Sequence, residues 1–185
     1  MRTFISIDVS GELKDKVFDA IKRLEKTGAS VKWVEKDNLH ITLKFLGEVQ
    51  EKDINGSVKA VSSALKGFRE FEMEFEGTGT FPGGADPRVV WVGAKAGAQK
   101  AKDLALIIDA ALSKIGFKKE DREFRSHLTI GRVRDRKNLS SLNTELEKMK
   151  NENFGKTMID KVNIMKSTLS PKGPAYEVIR SIVLE

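Results

Sequence analysis

Residues 38–45, NLHITLKF, alternate between polar and apolar side chains: Leu39, Ile41, Leu43 and Phe45 against Asn38, His40, Thr42 and Lys44. A period of two is the pattern of a β-strand with one face in a core. The other face carries a histidine beside a hydroxyl. Residues 126–133, SHLTIGRV, repeat the arrangement, with His127 and Thr129 two places apart and Leu128 and Ile130 as the apolar partners. The chain has only two histidines and nine threonines. Both histidines open the same four-residue pattern, so they are read together as a pair rather than as two structural histidines.

Outward from these strands, further alternating or β-rich runs lie near 2–9, 69–80, 88–94, 124–133, 157–169 and 175–184, with the first motif inside a strand near 39–46. Four amphipathic helices separate them. The first follows Ser10, a plausible N-cap, and stripes Leu13, Val17, Ile21 and Leu24 along one face. The second uses Ile54, Val58, Val61 and Leu65. The third runs through Leu104, Ile108 and Leu112 to a stop at Gly116, and the fourth follows Asn138 with Leu139, Leu142, Leu146 and Met149. These stripes are core positions.

The order strand, helix, strand, helix, strand occurs twice, with one extra strand at the end. His127 follows His40 by 87 positions, and Val90 follows Phe4 by 86. A duplicated unit, about 1–86 and 87–185, is expected to fold as two lobes of one domain, exchanging terminal strands, with a site at their junction. The stretch GTGTFPGGADPR (77–88) reads as the one flexible connection.

Composition narrows the function classes. Lys and Arg number 33 against 27 Asp and Glu, a net charge of +6, which favours a polyanionic partner such as RNA. Abundant Lys and Glu also suit the surface of a heat-adapted protein. The absence of cysteine excludes disulfides, thiol nucleophiles and cysteine-held metals. No apolar run reaches the roughly 18 residues of a membrane span, and no signal peptide is read at the start, so a cytoplasmic monomer is expected. Two histidines on separate strands lack the clustered partners of a metal site, and no phosphate-binding P-loop pattern is present. Neither metal nor cofactor is expected. A non-catalytic RNA-binding module is the rival class, although the aromatic signature of an RRM is missing.

The chemistry follows from strand geometry. Residues i and i+2 share a face, so His40 projects with Thr42 and His127 with Thr129. Facing copies would bring two imidazoles and two hydroxyls to one cleft. Near neutral pH one imidazole can be neutral and the other charged, so that one takes a proton from a nucleophile and the other gives one to a leaving oxygen. The hydroxyls suit the non-bridging oxygens of a phosphoryl group between them.

The stretches LHITLKFLGEV and HLTIGR, with RTFISIDV at the start and RVVWVGA before the third helix, resemble the two-histidine phosphoesterases. Among these the chain is similar to the RNA 2',3'-cyclic phosphodiesterases, also called the 2'-5' RNA ligase or LigT-like family. The resemblance covers nearly the whole chain. It implies an α+β fold, bilobal and pseudo-two-fold symmetric, in which antiparallel sheets face a central cleft. It implies metal-independent opening of a 2',3'-cyclic phosphate to a 2'-phosphate and, in some members, reversible 2'-5' joining of RNA ends. Carried over, His40 is the proton donor to the departing 3' oxygen and His127 the acceptor that activates water, while Thr42 and Thr129 hold the phosphate. RNA ends, tRNA halves among them, or small cyclic-phosphate nucleotides are the implied substrates. Relatives commonly place a proline before the second motif, where Ser126 stands here.

Further candidates surround this pair. Arg132 follows Gly131, and a glycine within a strand often marks a bulge that re-aims the next side chain, here as a phosphate contact. Lys44 shares the face of His40 by alternation and is expected to add positive potential to the cleft. Phe81, in the glycine-rich stretch, is a candidate for stacking on a base. Lys118, Lys119, Arg122 and Arg125 form a basic approach to the second motif.

Overall fold

The structure, a computed structural model, describes residues 1–171 and 173–185. In chain order the elements are β1 (Arg2–Asp8), α1 (Gly11–Glu25), β2 (Val31–Trp33), a 3-10 turn (Lys36–Asn38), β3 (His40–Glu48), α2 (Glu51–Ala64), β4 (Phe71–Phe81), β5 (Val89–Ala94), α3 (Ala98–Ser113), β6 (His127–Val133), α4 (Leu139–Lys148), β7 (Asn153–Ile159), β8 (Lys161–Ser170) and β9 (Gly173–Val183). Ser10 caps α1 through its hydroxyl, which accepts from the Leu13 N–H at 3.3 Å. Asn138 precedes α4 in the left-handed region but caps nothing. Its amide instead donates to the carbonyls of Thr27 and Gly28.

Among the described residues two antiparallel sheets carry the fold, with strand orders β3-β1-β8-β9 and β2-β6-β5-β4-β7. Apart from β2, the orders correspond position for position. In each, the histidine strand lies beside the first strand of its half, β3 on β1 and β6 on β5. β4 follows α2 yet pairs in the second sheet, and β8 with β9 completes the first. One buried cluster runs through both sheets and all four helices, including Ile7, Val17, Val61, Phe75, Ile108, Leu128, Leu142 and Ile164. The α+β class and the antiparallel sheets agree with the sequence reading.

Several boundaries differ. The strand expected near 157–169 is two strands turning at Asp160, β7 in the second sheet and β8 in the first. The stretch 77–88 is not a loop throughout, because β4 runs on to Phe81. β2 has three residues and lies along β6, with Trp33 opposite Gly131 and Val31 opposite Val133; so short a strand leaves no period to read.

Both histidine strands are bulged at equivalent places. In β3, Thr42 pairs with Ser6 and Lys44 with Ile5, leaving Leu43 without a partner. In β6, Thr129 pairs with Trp91 and Gly131 with Val90, leaving Ile130 without one. An extra residue inverts the alternation beyond it. Lys44 therefore turns to the core face and is 5% exposed, while Phe45 turns out at 60%. Gly131 and Arg132 are their counterparts in β6.

A side chain at Gly131 has no room. A Cβ there would lie 2.6 Å from Val31 Cγ1 and 2.8 Å from Trp33 Cε3. Gly131→Ala is expected to push β2 off β6 and destabilise the protein by about 1–3 kcal/mol; a thermal melt unchanged from the parent would contradict this packing.

Candidate active site

His40 is the first residue of β3, opposite Asp8 of β1. Its Nδ1 lies 2.7 Å from the Asn38 carbonyl oxygen. A carbonyl only accepts, so Nδ1 carries the proton and, in the neutral ring, Nε2 presents a lone pair. Thr42 Oγ1 stands 3.1 Å from that Nε2. The ring stacks on Phe4 with centroids 5.0 Å apart and meets Tyr176 edge-on at 5.2 Å. Burial among these rings lowers the His40 pKa from its ordinary 6.5; the Asn38 hydrogen bond and Asp8 oppose the shift, and Lys14 adds to it.

His127 repeats the design. Its Nδ1 donates to the Arg125 carbonyl at 2.6 Å, again two residues upstream. Burial lowers its pKa too; the Arg125 hydrogen bond opposes the shift and the positive charge of Arg132 adds to it. The ring meets the edge of Phe81 at 5.0 Å. Phe81 itself tilts against Trp91 at 5.2 Å and carries the Arg125 guanidinium 5.7 Å from its centroid. Phe81 is thus a wall for His127, with rings and a cation already against it. Burial thus favours the neutral form of both imidazoles.

A cleft of about 880 Å³ opens between the two histidine strands. His40 and Thr42 enter it from β3, and Thr129 and Arg132 from β6. His127 shares the β6 face of Thr129, one pleat along, but is not part of the cleft wall itself. Arg2 and Lys32 add cations, and Trp33, Phe45 and Tyr176 add aromatic surface. The Tyr176 phenol is raised by burial, an effect that the charges of Arg132 and Arg2 oppose.

Lys44 is corrected. The bulge at Leu43 sends it away from the cleft, where its Nζ binds Asp109 Oδ1 at 2.5 Å and the Lys118 carbonyl at 2.8 Å. Phe45 takes the place in the cleft that alternation gave to Lys44. It lies five residues after its histidine, as Arg132 does after His127, so the bulge reading at Gly131 carried across the repeat would have found it. Tyr176, the single tyrosine, arrives from β9 with no motif to announce it. Lys118, Lys119, Arg122 and Arg125 are exposed, and Lys118 pairs with Asp121 at 3.0 Å.

The model of the LigT like Phosphoesterase family matches residues 7–91 and again 92–176, one copy for each histidine motif. The chain belongs to the LigT-like phosphoesterase family. A relative from Archaeoglobus fulgidus is 39% identical over 180 residues, covering 97% of this chain and 98% of its own. Another from Methanocaldococcus jannaschii is 38% identical over 97% and 99%. Both are named RNA 2',3'-cyclic phosphodiesterase. Among solved structures, one from Thermus thermophilus superposes with a TM-score of 0.80 at 24% identity over 100% of this chain and 98% of that one. E. coli LigT complexed with 3'-AMP gives 0.77 at 20% identity over 99% and 97%. These two likenesses speak for the fold. As a LigT-like phosphoesterase the protein is an enzyme, and the duplicated match agrees with the repeat read from its two motifs.

The histidine geometry makes a spectroscopic prediction. In a pH titration followed by 15N NMR, both imidazoles are expected to titrate below 6.5 and to hold their proton on Nδ1 when neutral. A midpoint above that value, or an Nε2–H tautomer at either residue, would contradict the hydrogen bonding described.

Proposed function

We propose that this LigT-like phosphoesterase opens the 2',3'-cyclic phosphate at an RNA end to a 2'-phosphomonoester, with water as nucleophile and the two histidines as acid and base. The observation that supports it most is the matched tautomer. Each imidazole is fixed by a carbonyl two residues upstream and shares its strand face with a threonine two residues downstream. The family's pattern assigns the roles. His127 Nε2 takes a proton from water as its oxygen bonds to phosphorus. The bond from phosphorus to the 3' oxygen breaks, and His40 Nε2–H gives that oxygen its proton. Once His40 is protonated, its Nε2–H donates to Thr42, whose own hydroxyl proton is then free for a phosphate oxygen. Thr129 and Arg132 supply donors from the other side, the guanidinium countering the charge that builds on phosphorus.

In this reading the reaction runs without a metal, on the His40 imidazole, the Thr42 and Thr129 hydroxyls and the cations of the cleft wall, with His127 one pleat along from Thr129. Trp33, Phe45 and Tyr176 offer faces for unpaired bases, and Arg2 and Lys32 offer charge to the adjoining phosphates. RNA ends, including those of cleaved tRNA, are the proposed substrates.

Three outcomes test the proposal. A short oligonucleotide ending in a 2',3'-cyclic phosphate should yield a 2'-phosphate end, at an undiminished rate in a chelator; a 3'-phosphate product or loss of rate would overturn it. His40→Ala and His127→Ala should each lower kcat by about 10²–10⁴-fold. The active free enzyme carries one proton on the pair. Since both pKa values lie below 6.5, kcat/KM should peak on the acid side of that value. It should fall on the acid side as the base is protonated and on the alkaline side as the acid is lost.

A further inference from the structure

Lys44 and Asp109 form a buried ion pair that the reaction does not use. It joins β3, the strand of His40, to α3, and both partners also grip the irregular segment that leads to His127. Residues 114–126 carry no helix or strand, and the ladder of β6 begins only at His127. Lys44 Nζ donates to the Lys118 carbonyl at 2.8 Å, and the Glu120 N–H donates to Asp109 Oδ1 at 3.1 Å. From the same segment Arg125 supplies the carbonyl that fixes the His127 tautomer. On the other side, Asn38 holds His40 and is itself tied to β9, its amide donating to the Pro174 carbonyl at 3.1 Å.

The repeat shows what the strand alone requires. Beyond the bulges, Lys44 and Gly131 occupy equivalent places on the core face. The glycine makes room for β2, and nothing in strand pairing calls for a charge at the other. A buried ion pair is also a poor source of stability, since desolvating two charges offsets much of their attraction. What this pair achieves that apolar side chains would not is two directional bonds to the backbone before the second motif.

We propose that Lys44 and Asp109 are positioning residues that tie the orientation and tautomer of His127 to the strand bearing His40. The significance for turnover rests on the acid–base reading above; the effect on the imidazole does not. Removing one partner leaves an unpaired buried charge and destabilises the protein for that reason alone. The informative variant is therefore Lys44→Met with Asp109→Asn, which removes both charges and keeps the shapes.

With two histidines in the chain, 15N-labelled imidazoles give two sets of signals, assigned by His40→Ala. The double variant should melt closer to the parent than Lys44→Met does. Its His127 signals should move toward a mixture of Nδ1–H and Nε2–H forms while those of His40 stay in place. On the cyclic-phosphate substrate kcat should fall about tenfold or more with KM within about twofold, the pattern of a misplaced group rather than a lost contact. Asp109→Asn alone, which retains an acceptor for Glu120, should show the same His127 shift to a smaller extent. Unchanged His127 signals in both variants, or full recovery of kcat together with stability in the double variant, would overturn the proposal. Loss of all cyclic-phosphate activity in the parent would instead overturn the functional reading and leave the spectroscopic test intact.

Discussion

Leu43 and Ile130 each stand opposite no residue of the neighbouring strand, and at those two points the side-chain alternation of β3 and β6 inverts. Both apolar residues stay in the core, so each strand is held on its inner face through the irregularity. Ahead of the bulge a histidine and a threonine project outward; beyond it the next but one residue does so, Phe45 in one lobe and Arg132 in the other. A strict period of two would have put a lysine and a glycine there. The cleft owes the Arg132 guanidinium and the Phe45 ring to this one-residue excess, repeated at equivalent places.

The electrostatics follow from the same placement. Aromatic rings and buried strand surface surround both imidazoles and disfavour their charged forms, and the carbonyls of Asn38 and Arg125 partly compensate. In the proposed reaction a single added proton makes one ring an acid and leaves the other a base. In the same reading, a negatively charged phosphodiester between the cations favours that added proton. Arg132 discourages charge on His127 and, in the proposed reaction, also receives the phosphate.

The two-fold pattern was legible because duplication kept residue types where the chemistry and the core need them. Alternation named the histidine strands, helical stripes named the four helices, and the recurrence of His-apolar-Thr-apolar separated the pair from an incidental histidine. Other features were out of reach because they belong to pairings between distant segments. A bulge is a relation between two strands, and only Gly131 left a local trace of one. The face of Lys44 depends on that relation, and its partner Asp109 sits 65 positions away on α3. β7 and β8 looked continuous because both are β-rich and a single Asp160 marks their turn. The 3-10 turn before β3 is too short for any period, although it delivers the carbonyl that sets the His40 tautomer.

The crossed membership of the sheets bears on how the molecule comes into being. β1 has β3 on one side, but its other edge waits for β8, and Tyr176 comes from β9 after that. On the ribosome the amino-terminal half therefore emerges with an open strand edge, while β4 leaves it to pair with segments not yet made. Neither half completes a sheet by itself. The wall beside His40 closes only when the hairpin encoded last has returned to the sheet encoded first, so a nascent or interrupted chain has no finished pocket.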